Sequence, residues 1–139
     1  MDQIPDWSHE AVLVAEPLSA SRARDFVCLH LVEHSLLYLV EDVRLVASEL
    51  ATNAMVHART PFTVTLSSSD GTVLLAVRDD STSVPVAAVP QVTDTRGRGL
   101  LLVEMLSREW GSSTDGDGSK SVWASFATRT RPGPAPVSQ

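Results

Sequence analysis

Apolar and polar positions change period several times along this chain. Ala11-Val12-Leu13-Val14-Ala15 is a short apolar run stopped by Pro17, which predicts a first strand at a sheet edge. The period then lengthens. Ala23, Phe26, Val27, His30 and Leu31 recur at helical spacing, with Ser19 or Ser21 placed to cap that helix. His34-Ser35-Leu36-Leu37-Tyr38 breaks the pattern before a longer helix from Glu41 to Ala58, whose Leu45, Val46, Leu50, Ala54 and Met55 supply an apolar face. Pro61 and the alternation Phe62-Thr63-Val64-Thr65-Leu66 predict a strand, Ser69-Asp70-Gly71 a tight turn, and Thr72 to Val77 its hairpin partner.

From Arg78 to Arg98 no period holds, and an aperiodic stretch of that length in a compact domain is usually a functional loop or lid. Order returns at Gly99, where Leu100 to Leu106 opens a helix that Trp110-Gly111 can close. Asp115-Gly116-Asp117-Gly118 reads as a turn and Ser121 to Phe126 as a last alternating strand, with Trp110 and Trp123 assigned to the core. This order predicts an α/β two-layer sandwich with helices on one face of a mixed, mostly antiparallel sheet. The other face must be solvated or covered by a partner. An N-terminal segment (1–10), one domain (11–127) and a disordered Pro-rich tail (128–139) complete the division.

Composition narrows the function. The chain has 139 residues, enough for one domain with a real core. Its 11 basic and 17 acidic residues leave a formal charge of −6, which argues against direct DNA binding and suits a basic protein partner. Cys28 is the sole cysteine and sits in an apolar setting, so it reads as packing in a reducing cytoplasm. The N-terminus lacks the pattern of an export leader and no apolar run approaches membrane-spanning length, so neither export nor a membrane span is expected.

Three chemical groups stand out against this background. Glu49, Asn53 and His57 recur every fourth residue and stack along one stripe of the long helix, either as a solvated face or as a site. Asp79 ends a predicted strand. Gly97-Arg98-Gly99-Leu100 opens a helix, where glycines either turn the chain or let backbone amides approach a phosphate. An Asn oxygen suits hydrated Mg²⁺ and a Glu suits a general base, which are the two groups that chemistry on a nucleotide phosphate needs. His30-Leu31-Val32-Glu33-His34 reads as helix surface, because two histidines four apart lack the fuller ligand set of a zinc site.

Taken together, these residues resemble the GHKL (Bergerat-type) ATP-binding fold of histidine kinases, gyrase and Hsp90, and especially the small anti-sigma-factor serine kinases of the actinobacterial stand-alone type. The resemblance spans roughly residues 10 to 127. Glu49-Leu50-Ala51-Thr52-Asn53-Ala54-Met55-Val56-His57 is similar to the N box, Val77-Arg78-Asp79-Asp80-Ser81 to the first glycine box, and Gly97-Arg98-Gly99-Leu100 to the second. Trp110-Gly111 and Gly118-Ser119-Lys120-Ser121-Val122-Trp123 extend it.

The resemblance implies ATP and Mg²⁺ as cofactors. Asn53 would hold Mg²⁺, Glu49 would act as catalytic base toward a serine or water, and Asp79 would accept the adenine amino group. Gly97, Arg98, Gly99 and Leu100 would line the phosphates, with Arg98 neutralising charge or simply exposed. Ser121 would support Asp79 through a water or be an ordinary strand residue. His57 would bind phosphate or substrate, or interact with the carbonyls at its helix end. The implied partners are an anti-anti-sigma protein of the STAS type and a sigma factor, with a homodimer through the sheet edge left open. One departure matters: Ser81 and Ser83 stand where the family's first glycine box has glycines, which restricts the backbone. A non-catalytic ATP-sensing module therefore rivals the kinase, and a scaffold that has lost nucleotide altogether is the third reading.

Overall fold

The computed structural model describes residues 5–58, 60–79, 95–114, 116 and 118–128, with the side chains of 57, 58 and 95–100 outside that description. Most of the expected lid, including Ser81 and Ser83, and the tail from 129 onward also lie outside it. The described elements are β1 (Trp7–Leu13), α1 (Leu18–Glu33), a 3-10 turn (Leu37–Leu39), α2 (Val40–Ala58), β2 (Phe62–Ser69), β3 (Thr72–Asp79), α3 (Thr95–Leu106), β4 (Glu109–Thr114) and β5 (Lys120–Ala127). They form the expected two-layer sandwich.

The five strands lie in the order β1-β2-β3-β5-β4. All four described pairings are antiparallel, in keeping with the mostly antiparallel sheet expected. Among the described residues α3 lies between β3 and β4, and these two strands run the same way, with β5 inserted between them and paired antiparallel with both.

One face of the sheet is apolar and covered by helices. Phe62, Val64 and Leu66 of β2 alternate as buried residues, as do Val73, Leu75 and Val77 of β3 and Ala124 and Phe126 of β5. Against them α2 buries Val43, Val46, Ala47, Leu50, Ala51 and Ala54. This is a broader face than the pattern of large apolar residues indicates, because three alanines allow close approach to the sheet. Leu45, assigned to that face from sequence, is 41% exposed. At about 1.5–3 kcal/mol for each large apolar side chain buried, this interface is what holds α2 in place. The opposite face mixes Thr63, Thr65, Ser67 and Thr72 with the apolar Val12, Leu74, Ala76 and Trp123.

Several local expectations are corrected. β1 starts at Trp7, so a boundary drawn after residue 10 cuts through a strand. Neither Ser19 nor Ser21 caps α1: the helix enters through Pro17, whose φ of −53° already suits it, and Ser19 is buried within the first turn. α3 starts at Thr95 and ends at Leu106, and Trp110-Gly111 belongs to β4 instead of closing a helix. Trp110 packs against the core, but Trp123 lies on the opposite sheet face, where its indole covers Gly111. A Cβ added at Gly111 would approach Trp123 Cζ2 to 2.8 Å, so the glycine makes room for the ring.

The break after α1 is a Schellman ending. Leu36 N–H donates to Leu31 O and Ser35 N–H to Val32 O, with Ser35 at a left-handed φ of 61°. This ending presents His34 toward β1, where its ring stacks on Trp7. Burial, and then the neighbouring His30 and His34 rings, push the His9 imidazole below the usual histidine pKa, while Glu33 acts in the other direction. Burial also pushes the Cys28 thiol up, against the opposing pull of Arg44, which fits packing instead of reactivity.

Candidate functional site

Connection lengths bring three distant segments to one end of the sandwich. α2 ends at Ala58 and β2 starts at Phe62, which pairs with Asp79. The C-terminal end of α2 therefore stands over the strand end that carries Asp79. α3 leads into β4 through Ser107 and Arg108, and Arg108 N–H donates to Ser125 O at 2.7 Å. Ser125 pairs with Leu74, near the far end of β3. The C-terminus of α3 thus lies at the far end, and its twelve residues run about 18 Å back toward the Asp79 end. Its first turn, where a helix has backbone N–H groups without intrahelical partners and a partial positive charge, lies toward that end.

The polar stripe of α2 faces the same region. Ser48 accepts a hydrogen bond from Arg24 of α1 at 3.1 Å, which marks the side of α2 that looks at α1. Glu49 and Asn53 lie about 100° and about 140° round the helix from Ser48, away from the side that looks at α1, and α2 also packs on α3. Both are partly buried. Progress along the stripe from Glu49 to Asn53 to His57 is progress toward Asp79. His57 lies in the last turn of α2, and its side chain is outside the described residues.

Asp79 is the last residue of β3 and follows the buried Val77 by two positions, so it shares the helix-covered face. Gly97, Arg98, Gly99 and Leu100 fall inside the opening turns of α3 instead of in a loop before it. Glycine is costly in a helix interior and reads as a turn, but the burial of Val103 against the core anchors this helix. Their backbone stands at the site, and nothing is described of their side chains.

Ser121 does not join them. It pairs with Arg78, one position out of step with Asp79, and a shift of one residue along a strand is a change of face. The residue paired with Asp79 on β5 is Lys120, which sequence reasoning passed over. Counting by twos back from Phe126, Ala124 and Val122 reaches Lys120 and would have found it. Thr60 was also missed. In the link between α2 and β2, its Oγ1 is buried with no hydrogen-bond partner among the described residues. An isolated threonine in a connection carries no signal in sequence.

A profile of the histidine kinase-like ATPase domain matches residues 13–126. The chain belongs to this family. No curated protein matches it. Histidine kinase-like ATPase domains bind ATP, generally with Mg²⁺, and the residues at this end fit such a ligand. Asn53 offers an oxygen donor of the kind Mg²⁺ prefers, Glu49 beside it a carboxylate, the first turn of α3 suits phosphate, and the Thr60 hydroxyl suits a polar group. No described helix of this domain is long and apolar enough to cross a membrane.

Proposed function

We propose that the chain is a regulatory ATP-dependent protein serine kinase of the anti-sigma type, which phosphorylates an anti-anti-sigma partner of the STAS type and sequesters a sigma factor in alternation. The observation that carries this reading is the convergence of the α2 stripe, Asp79 and the start of α3 on one end of the sheet. Asn53 would hold Mg²⁺ through its side-chain oxygen, and Asp79 would accept the adenine amino group. The first turn of α3, with Gly97, Arg98, Gly99 and Leu100, would lie along the phosphates. Glu49 would take the proton from the attacking serine hydroxyl, with His57 close to phosphate or substrate. Bound ATP supplies the phosphoryl group, and transfer depends on positioning and charge stabilisation.

Glu49 and Asn53 favour catalysis over recognition alone, since holding adenine requires neither a base nor a metal ligand. The outer face of α1, where Leu18, Leu29 and Val32 are 53%, 57% and 52% exposed, supports a protein partner. A non-catalytic ATP-sensing module is the second reading, favoured by Ser81 and Ser83 in the first glycine box.

Calorimetric titration with ATP·Mg²⁺ tests both readings, together with a phosphotransfer assay on serine-containing STAS proteins. The kinase reading expects binding that Asp79→Ala weakens about 10- to 100-fold, the loss of a hydrogen bond to a charged group. It also expects Asn53→Ala to remove the dependence on Mg²⁺. Binding without transfer leaves the sensing module. No binding at millimolar nucleotide rejects both.

A further inference from the structure

The corner where β1 meets α1 gathers side chains that the nucleotide site does not use. His9 from β1 and His30 from the last turn of α1 stack face to face, with ring centroids 3.8 Å apart and planes 9° from parallel. His30 Nδ1 lies 2.8 Å from Glu33 Oε1, and His9 Nε2 lies 3.0 Å from His34 Nε2. Trp7 covers His34 at 3.9 Å and 4°, and Phe26 meets His30 edge-on at 4.9 Å. One ligand atom each from His9, His30 and Glu33 fall within 4.8 Å of one another, the one such group of three among the described residues.

We propose that His9, His30 and Glu33 form a binding site for a divalent transition-metal ion of the zinc type, which clips β1 to α1. Two imidazoles and one carboxylate are a donor set that zinc takes in three-ligand sites, with water completing the tetrahedron. Atoms bonded to one zinc ion stand about 3.3–3.5 Å apart, given bonds of about 2.0–2.2 Å. The donors, which lie within 4.8 Å of one another, must therefore adjust to that spacing, and the two parallel rings must tilt so that their lone pairs meet at one point. His30 and Glu33 sit three apart on one helix face, so their side chains can turn toward a common ion beside His9. The Glu33 side chain is 50% exposed, so an ion can enter from solvent.

His34 is a positioning residue in this proposal. Its ring is held on Trp7 and its nitrogen bonds the His9 ring, the role that an outer hydrogen-bond partner plays toward a ligating histidine. The sequence hides this site, because the helix supplies His30 and Glu33 while the missing ligand lies on a strand 21 residues earlier.

The test titrates the full chain, without an affinity tag and stripped of metal, with zinc chloride in excess magnesium. Heat and tryptophan emission are read together, since Trp7 adjoins the site. The expected result is one equivalent bound at micromolar concentration with a rise in melting temperature, unaffected by magnesium, which prefers oxygen donors. Glu33→Gln, at an exposed position that leaves the fold intact, and His30→Ala should each weaken binding by at least about 10-fold. His34→Phe keeps a ring on Trp7 but cannot hold His9. It should lower zinc affinity about 10-fold with the metal-free melting temperature unchanged, and His34→Gln should restore part of the loss. No binding at submillimolar zinc overturns the proposal, as does binding that survives both Glu33→Gln and His30→Ala. Either result would leave the corner as an aromatic stack that only packs.

Discussion

The two polar regions of this molecule are built in opposite ways. At the Asp79 end, the groups come from α2, β3 and α3 and are brought together by where the chain turns. At the β1–α1 corner, rings and a carboxylate touch directly, at 2.8 to 3.9 Å. The first region is assembled by topology, with a helix N-terminus as one of its parts. The second is assembled by side-chain contact. A site of the first kind depends on the rigidity of the elements beneath it, whereas a site of the second kind can be removed by one exposed substitution.

Four substitutions probe this difference. Glu49→Gln should lower phosphotransfer by about 10²–10⁴-fold if Glu49 is the base, with ATP affinity held. A single-turnover assay beside calorimetry measures both, and an unchanged transfer rate removes the role of Glu49. Phe62→Ala should cost about 3–5 kcal/mol in chemical denaturation, since this 1% exposed ring lies in β2 between Leu13 of β1 and Asp79 of β3. In the surviving folded fraction it should harm nucleotide binding more than the corner, because Phe62 pairs with Leu13 while the corner is built on Trp7 and His9 toward the other end of β1.

Thr60→Val should raise the stability of the nucleotide-free protein by about 1–3 kcal/mol, by removing a buried hydroxyl without a described partner. It should also shrink the rise in melting temperature that ATP produces. An unchanged ATP response would place Thr60 outside the nucleotide site. The smallest effect is expected at Ser35, where glycine relieves a left-handed φ of 61° and should stabilise by about 0.5–1 kcal/mol in urea melts. Zinc affinity should stay as it is, because the Schellman hydrogen bonds that place His34 come from the backbone.

Much of the fold was legible in the alternation of β2 and β3 and in the period of α1 and α2. The tight turn was legible too: Asp70 and Gly71 adopt φ of 52° and 79°, as a two-residue hairpin turn requires. β4 was not legible, because Glu109-Trp110-Gly111-Ser112-Ser113-Thr114 has few apolar residues and owes its strand state to pairing with β5. The start of α3 was misplaced because its glycines oppose helix formation locally, while Val103 and the packing against α2 favour it globally. In the candidate nucleotide site, Glu49, Asn53 and Asp79 were legible as residue types at given spacings. That Lys120 and not Ser121 is paired with Asp79 depends on register, which is a relation between two strands.

The sequence by itself determined the helix stripe, the faces of β2 and β3 and the family, because these depend on periods and motifs within short windows. Tertiary structure alone decided which distant residues meet. It placed β5 between β3 and β4, turned Trp123 away from the core, and carried His9 onto His30 and His34. Those contacts join residues far apart in the chain, and their positions follow from burying a whole helical layer on one sheet face, which no local pattern encodes.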